Sequence, residues 1–305
     1  MSIAGGLSVA TERAHALGCR TMQIFSKSPR GWAARPLDPE DARRARELRI
    51  ERDIGPVAVH ASYLLNLASA DPMLHERSIA GVADELERCR IIGAEYLVLH
   101  VGCTRPEQQD GMERVSRALK RVLDRPPTQA ADGTMILLEN TAGERGELGS
   151  TFEELAEMLD RVGSDRLGVC LDTCHTLAAG YEYRTAAGFG ALVATIERTI
   201  GVRSIRFMHV NDSKKELGSR VDRHEHIGRG AVGADGFRQW LSEPRFRQTP
   251  MVLETPKESD ADDRRNLAAI RRLAQPVPRL TRATPRAAAA TTRGSVPVDR
   301  RRSRP

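Results

Sequence analysis

The chain has 305 residues, a formal net charge of +6, 40% hydrophobic residues and five cysteines. That length buries a substantial core in one large domain or two modest ones. No apolar run is long enough to span a bilayer, and MSIAGGLSVATER lacks the basic region and apolar core of a secretory signal; the five scattered cysteines show no disulfide framework, so a reducing cytoplasm is expected.

The first element is a helix-like stretch, GGLSVATERAHALG, with no strand before it. Seven short apolar or β-branched runs then follow, each succeeded by an amphipathic segment: MQIF (22–25), VAVH (57–60), YLVLH (96–100), MILLEN (135–140), LGVCLD (167–172), IRFMHV (205–210) and PMVLET (250–255). In the segment STFEELAEMLDRVG, Ser150 and Glu153 are spaced as a capping box. Continuous apolar strands alternating with helices indicate an α/β protein with a parallel sheet, and units of this size fit a TIM (β/α)8 barrel whose first strand is missing from this chain. A doubly wound sheet is the alternative, but no Gly-rich phosphate loop follows any strand.

The barrel accounts for residues 1–270. Residues 271–305 hold ten arginines against one acid, Asp299, which leaves the body mildly acidic. This Pro-, Ala-, Thr- and Arg-rich tail has too few large apolar residues to offset its ordering entropy, so disorder is expected. It reads equally as a solubilising extension or as a sequence-independent contact to nucleic acid phosphates.

Six of the seven strands end on, or within one residue of, a metal-binding side chain: His60, His100, Glu139, Asp172, His209 and Glu254. A barrel brings all C-terminal strand ends to one face, where active sites lie. One such histidine is more often structural than functional; six convergent His, Asp and Glu residues are not explained that way, because burying them unpartnered is costly. His175, Asp222 and His224 lie in the loops just beyond and can join them, whereas His15 and His75 fall on helix-like stretches. Nine donors exceed one ion and suit two or three ions sharing a bridging carboxylate, with zinc or manganese favoured by the imidazole and carboxylate donors. Cys170 and Cys174, three residues apart in GVCLDTCHTLAAG, are poorly spaced for a redox pair and read as packing residues.

The motifs SIAGGLSVA, FSKSPRGW, HASYLLNLAS, LLENTAGERGELG, GVCLDTCHTLAAGYEYRT, MHVNDSKKELGSRVDRHEHIGRGAVG and VLET occur in this order from about Ser2 to Glu254. Together they resemble the endonuclease IV family of zinc-dependent apurinic/apyrimidinic endonucleases. The resemblance implies a TIM barrel with three zinc ions, manganese being admitted at one site. It also implies incision of duplex DNA 5′ to an abasic site, leaving a 3′-hydroxyl and a 5′-deoxyribose phosphate. By this resemblance His60, His100 and Glu139 hold one zinc. Glu139 bridges to a second held by Asp172, His209 and Glu254, and His175, Asp222 and His224 hold the third. Glu139 or Glu254 accepts the proton, and Arg30, Tyr63 and Leu64 distort the DNA. The expected protein is a monomeric base-excision-repair enzyme associated with the nucleoid.

Three features depart from the family. Its opening strand is absent, Val101 and Cys103 follow His100 where Pro and Ser are usual, and the basic tail is an addition. His226 is expected beside the ligands rather than among them. The alternatives are a metal-dependent sugar isomerase or epimerase on the same barrel, or a catalytically impaired DNA-binding relative. The third donor set and the Arg30, Tyr63 and Leu64 wedge have no use in a sugar isomerase.

Overall fold

A computed structural model describes residues 1–105, 110–124 and 133–275. Seven strands form one parallel sheet in the order β1 (Met22–Phe25), β2 (Val57–His60), β3 (Tyr96–Leu99), β4 (Met135–Glu139), β5 (Leu167–Asp172), β6 (Ile205–His209) and β9 (Met251–Val252). A two-stranded antiparallel ribbon, β7 (Asp212–Ser213) with β8 (His224–Glu225), is inserted after β6. Helices α1 (Leu7–Ala16), α2 (Pro39–Glu51), α3 (Pro72–Ile92), α4 (Gly111–Leu123), α5 (Phe152–Val162), α6 (Thr173–Ala178), α7 (Ala186–Thr199), α8 (Gly233–Ser242) and α9 (Asp260–Leu273) fall between and after the strands. This is the expected TIM-barrel architecture with seven barrel strands. A cavity of ≈ 660 Å³ separates the two end strands and is lined by Met22, Gln23, Phe25, Met251, Val252 and Glu254 among others.

Strand pleating sorts the side chains into two apolar layers. Val57, Val59, Leu97, Leu99, Ile136, Leu138, Val169, Leu171 and Met208 face the helices in the large outer core. The alternate residues Ala58, Val98, Leu137, Cys170 and Phe207 form a separate inner cluster that fills the barrel. Two residues further along each strand, on that same inner face, come His60, His100, Glu139, Asp172 and His209. Cys170 therefore lies one layer beneath Asp172 and packs there, as a packing residue is expected to.

Local expectations shift in three places. The capping box of α5 is built by Thr151 and Glu154, one residue on from the expected pair, because Glu154 also accepts the backbone N–H groups of Gly149 and Ser150. The last barrel strand pairs with β6 only through Met251 and Val252, so Glu254 lies beyond it rather than within a 250–255 strand. Helix α9 runs through Leu273, past the expected boundary at 270, and Arg271 donates to the carbonyls of Leu17 and Gly18. Of the tail expected to be disordered, residues 271–305, Arg271 to Leu273 instead end α9, and residues 276–305 lie outside the described ones. Among the described residues no helix is long and apolar enough to cross a membrane.

Candidate metal centre

All nine residues singled out as donors meet at the C-terminal mouth of the barrel, in three groups whose donor atoms lie within 4.8 Å of one another: His60, His100 and Glu139; Glu139, Asp172, His209 and Glu254; and His175, Asp222 and His224. Glu139 belongs to two groups because its carboxylate faces both ways. Oε2 lies 3.2 Å from His60 Nε2 and 3.0 Å from His100 Nε2, and Oε1 lies 2.9 Å from His209 Nδ1. His209 Nδ1 also approaches Glu254 Oε2 at 3.1 Å and Asp172 Oδ2 at 3.8 Å. Asp222 Oδ1 sits 3.2 Å from His175 Nε2 and 3.3 Å from His224 Nε2.

Local folding explains these placements. Asp172 ends β5 and caps α6, accepting the His175 N–H on Oδ1 at 2.8 Å, which lifts His175 into the third group. The β7–β8 ribbon delivers Asp222 and His224 from the far side. It is pinned by buried Asp212, whose carboxylate accepts the backbone N–H groups of Gly228, Gly230 and Val232 at 2.8, 3.0 and 3.0 Å. Only glycine fits at position 230, where a Cβ would lie 2.2 Å from the Ser213 carbonyl oxygen.

The far ring nitrogens decide what the near ones can do. His60 Nδ1 donates to the Ala61 carbonyl at 2.8 Å, His175 Nδ1 to the Asn140 carbonyl at 2.9 Å and His224 Nδ1 to the Glu254 carbonyl at 2.9 Å. A carbonyl can only accept, so each Nε2 of a neutral ring is a lone pair aimed at a carboxylate oxygen. Acceptor facing acceptor needs a cation between them, either a proton on the ring or a metal ion. His175 Nε2 is buried and lacks a hydrogen-bond partner.

The electrostatics agree. Burial alone would lower the imidazoles and raise the acids, yet the clustering reverses both. His209 is pushed well above its ordinary range by the carboxylates of Glu139 and Glu254, and His175 by Asp172, Asp222 and Glu139. Glu139 and Glu254 are held low chiefly by His209, and Asp222 is brought down to about 2 by His175 and His224. Four carboxylates with imidazole partners at this spacing fit metal use, the donors being those that suit zinc.

Cys170 stands within 4.8 Å of the Glu139 and His209 donor atoms, and Cys174 of those of Asp172 and His224, but neither thiol is poised as a ligand. Burial pushes the thiols of Cys170 and Cys174 up to about 12, which disfavours the thiolate that a metal ligand requires. His226 contacts Asn266 and belongs to none of the three groups. His15 and His75 lie on α1 and α3 and belong to none of the three groups. At the rim, Tyr63 is 51% exposed, with its ring 5.0 Å from that of His60. The Tyr63 N–H and the Ser62 hydroxyl both donate to the Pro29 carbonyl at 3.0 Å, tying the loop that bears exposed Arg30 to the one bearing Tyr63 and Leu64.

The chain matches the family described as "Xylose isomerase-like TIM barrel" over residues 11–275. It is 46% identical over 278 residues to a protein named "Probable endonuclease 4" from Chloroflexus aurantiacus, covering 90% of this chain and 96% of that one. The chain belongs to the endonuclease IV family. The solved endonuclease IV of Thermus thermophilus aligns with a TM-score of 0.78 and 39% identity over 90% of this chain and 96% of that one. A D-tagatose 3-epimerase-like protein shares the barrel at 22% identity and a TM-score of 0.63, a likeness of fold alone.

Within this endonuclease IV framework the structure adds three side chains that sequence reading passed over. Asn211 Nδ2 donates to Asp172 Oδ2 at 2.6 Å while its Oδ1 accepts the Glu254 N–H at 2.7 Å. Asn140 Oδ1 accepts the Asp172 N–H at 2.6 Å. Gln23 reaches both His209 and Glu254 from β1. For two of them a signal was available: Asn140 directly follows Glu139 and Asn211 lies two residues after His209, and an amide beside an apolar strand is buried only with partners, whereas Gln23 has no donor beside it in sequence.

Proposed function

We propose that the protein hydrolyses the phosphodiester 5′ to an abasic site in duplex DNA, leaving a 3′-hydroxyl and a 5′-deoxyribose phosphate. The observation that carries this reading is Glu139, whose two oxygens face separate histidine sets while a third set stands beside them. Three zinc ions would be held by His60, His100 and Glu139; by Glu139, Asp172, His209 and Glu254; and by His175, Asp222 and His224, with manganese admitted at one site. Bound there, zinc supplies Lewis acidity, polarising phosphoryl oxygens and bringing water toward a pKa of about 7.

The protein's own groups do the rest. Hydrogen bonds from the far ring nitrogens orient the imidazoles before substrate arrives, which lowers the reorganisation needed during reaction. Of the two candidate proton acceptors, Glu139 and Glu254, the Glu254 side chain is 20% exposed while Glu139 is sealed, so Glu254 is the one that solvent reaches. Arg30, Tyr63 and Leu64 stand at the mouth as a planar and apolar wedge, and unstacking a duplex costs least where a base is already missing. Specificity then comes from bendability and a site that admits a base-free sugar.

The sugar isomerase reading uses neither the third donor set nor the rim wedge, and a DNA-binding relative without activity has no use for nine convergent donors. The test is incubation of zinc-loaded protein, which this reading expects to act as a monomer on cytoplasmic DNA, with a duplex carrying one tetrahydrofuran abasic analogue. Incision on the 5′ side is expected; an intact duplex at three zincs per chain overturns the proposal, and aldose–ketose or epimer interconversion would favour the isomerase.

A further inference from the structure

Strand β1 contributes none of the nine donors, yet it sends one side chain into their midst. Gln23 pairs in register with Ala58, one layer beneath His60, and is 7% exposed. Its two methylenes carry the amide up to the donor layer. There Gln23 Nε2 donates to Glu254 Oε1 at 2.8 Å, and Gln23 Oε1 lies 2.8 Å from His209 Nε2.

The orientation of this amide follows from its partners. A carboxylate that binds a cation offers only acceptors, so Glu254 must face the NH2 group. The carbonyl oxygen then faces His209, whose Nε2 must carry hydrogen. In a neutral ring that leaves Nδ1 as the lone pair, directed at Glu139 Oε1, Glu254 Oε2 and Asp172 Oδ2. The same amide commits Glu254 Oε1, so that Oε2 is the oxygen turned to His209. One side chain thus sets the tautomer of one donor and the presented oxygen of another. His60, His175 and His224 obtain this service from backbone carbonyls, which no substitution removes. For His209 it comes from a side chain.

We propose that Gln23 is a positioning residue for the cation held by Glu139, Asp172, His209 and Glu254. The inference rests on the zinc reading of that group. A hydrogen bond to the far nitrogen of a metal-binding histidine is typically worth about 10- to 100-fold in metal affinity. The loss should fall on one ion, leaving the groups of His60/His100 and His175/Asp222/His224 filled.

The experiment measures zinc retained per chain against rising chelator, together with the ring 15N shifts of His209, in the wild type, Gln23→Leu and Gln23→Asn. The asparagine variant keeps a polar amide at this buried place, one methylene too short to reach both partners, and carries the test if the leucine variant does not fold. The folded variants should keep two zincs like the wild type and release the remaining one at about tenfold lower chelator or less, with His209 no longer fixed as the Nε2–H form. Unchanged retention of all three zincs in a folded variant overturns the role of Gln23. A wild type that takes up no zinc overturns the underlying zinc reading instead, so the two failures are distinguishable.

Discussion

Glu139 Oε1 lies 2.9 Å from His209 Nδ1, on the opposite side of the carboxylate from His60 and His100. One side chain at the end of β4 therefore joins two donor groups, and its removal should damage both. Glu139→Ala is expected to lose more than one zinc per chain and to reduce incision by at least about 10³-fold, the scale of several kcal/mol of lost charge stabilisation. Zinc analysis alongside a nicking assay checks it; a variant that keeps three zincs contradicts the shared role.

Asp172 and Cys174 are near neighbours with opposite expectations. Asp172→Ala removes the α6 cap as well as a donor to the second group, so incision should be abolished. Cys174→Ser replaces a buried thiol, whose contact to the Arg223 carbonyl is long at 3.9 Å, with a hydroxyl of similar size. Incision by that variant should stay largely intact under the same zinc loading.

The raised imidazoles fix a pH dependence of the chelated protein. His175 and His209 titrate higher when folded than their unfolded value of about 6.5. Their stabilisation is therefore fully present below about pH 6.5 and is lost as pH rises through the folded values. Asp222 is depressed to about 2, so its contribution is present above about pH 4 and is lost as pH falls towards 2. Because a metal must displace the imidazolium protons, zinc should bind more tightly as pH rises. Melting curves in chelator and in zinc should diverge above pH 6.5; parallel curves would refute this linkage.

Tyr63, half out in solvent at the rim, can be removed without disturbing the donors. Tyr63→Ala should leave zinc content and melting temperature nearly unchanged. Loss of a stacking contact of about 1–3 kcal/mol should weaken incision of abasic duplex by about 5- to 150-fold. An equal loss of zinc would show instead that Tyr63 supports the donors.

Gly230→Ala tests the ribbon. The added Cβ meets the Ser213 carbonyl and the Asp212 carboxylate at 2.2 and 2.6 Å, which backbone shifts must relieve at a cost of about 1–3 kcal/mol. Thermal unfolding should report that loss, and zinc release should report the displacement of Asp222 and His224.

The donors were legible because strand period and strand end coincide. The inner face that buries Val98, Leu137 and Cys170 continues to His100, Glu139 and Asp172, so a run of apolar letters closing on a polar one announces the site. What escaped reading depends on contacts distant in sequence. The ribbon strands are two residues each and exist because Asp212 gathers the N–H groups of a turn well downstream. Gln23 shows only one polar letter in MQIF, and its meaning comes from His209 and Glu254 meeting it across the barrel mouth. The α5 cap moved by one residue because Ser150, Thr151 and Glu154 all offer plausible partners, and only the packed loop chooses among them.

The central claim is that these three donor groups hold the metals that cut DNA beside a missing base. Its most direct measurement is the incision of an end-labelled tetrahydrofuran duplex by one preparation, stripped of metal and then restored to three zincs per chain. The account predicts no cleavage by the stripped protein, and after restoration a single cut immediately 5′ to the analogue with a polymerase-extendable 3′-hydroxyl. An intact duplex at full zinc occupancy, or equal cleavage by the stripped protein, would contradict it.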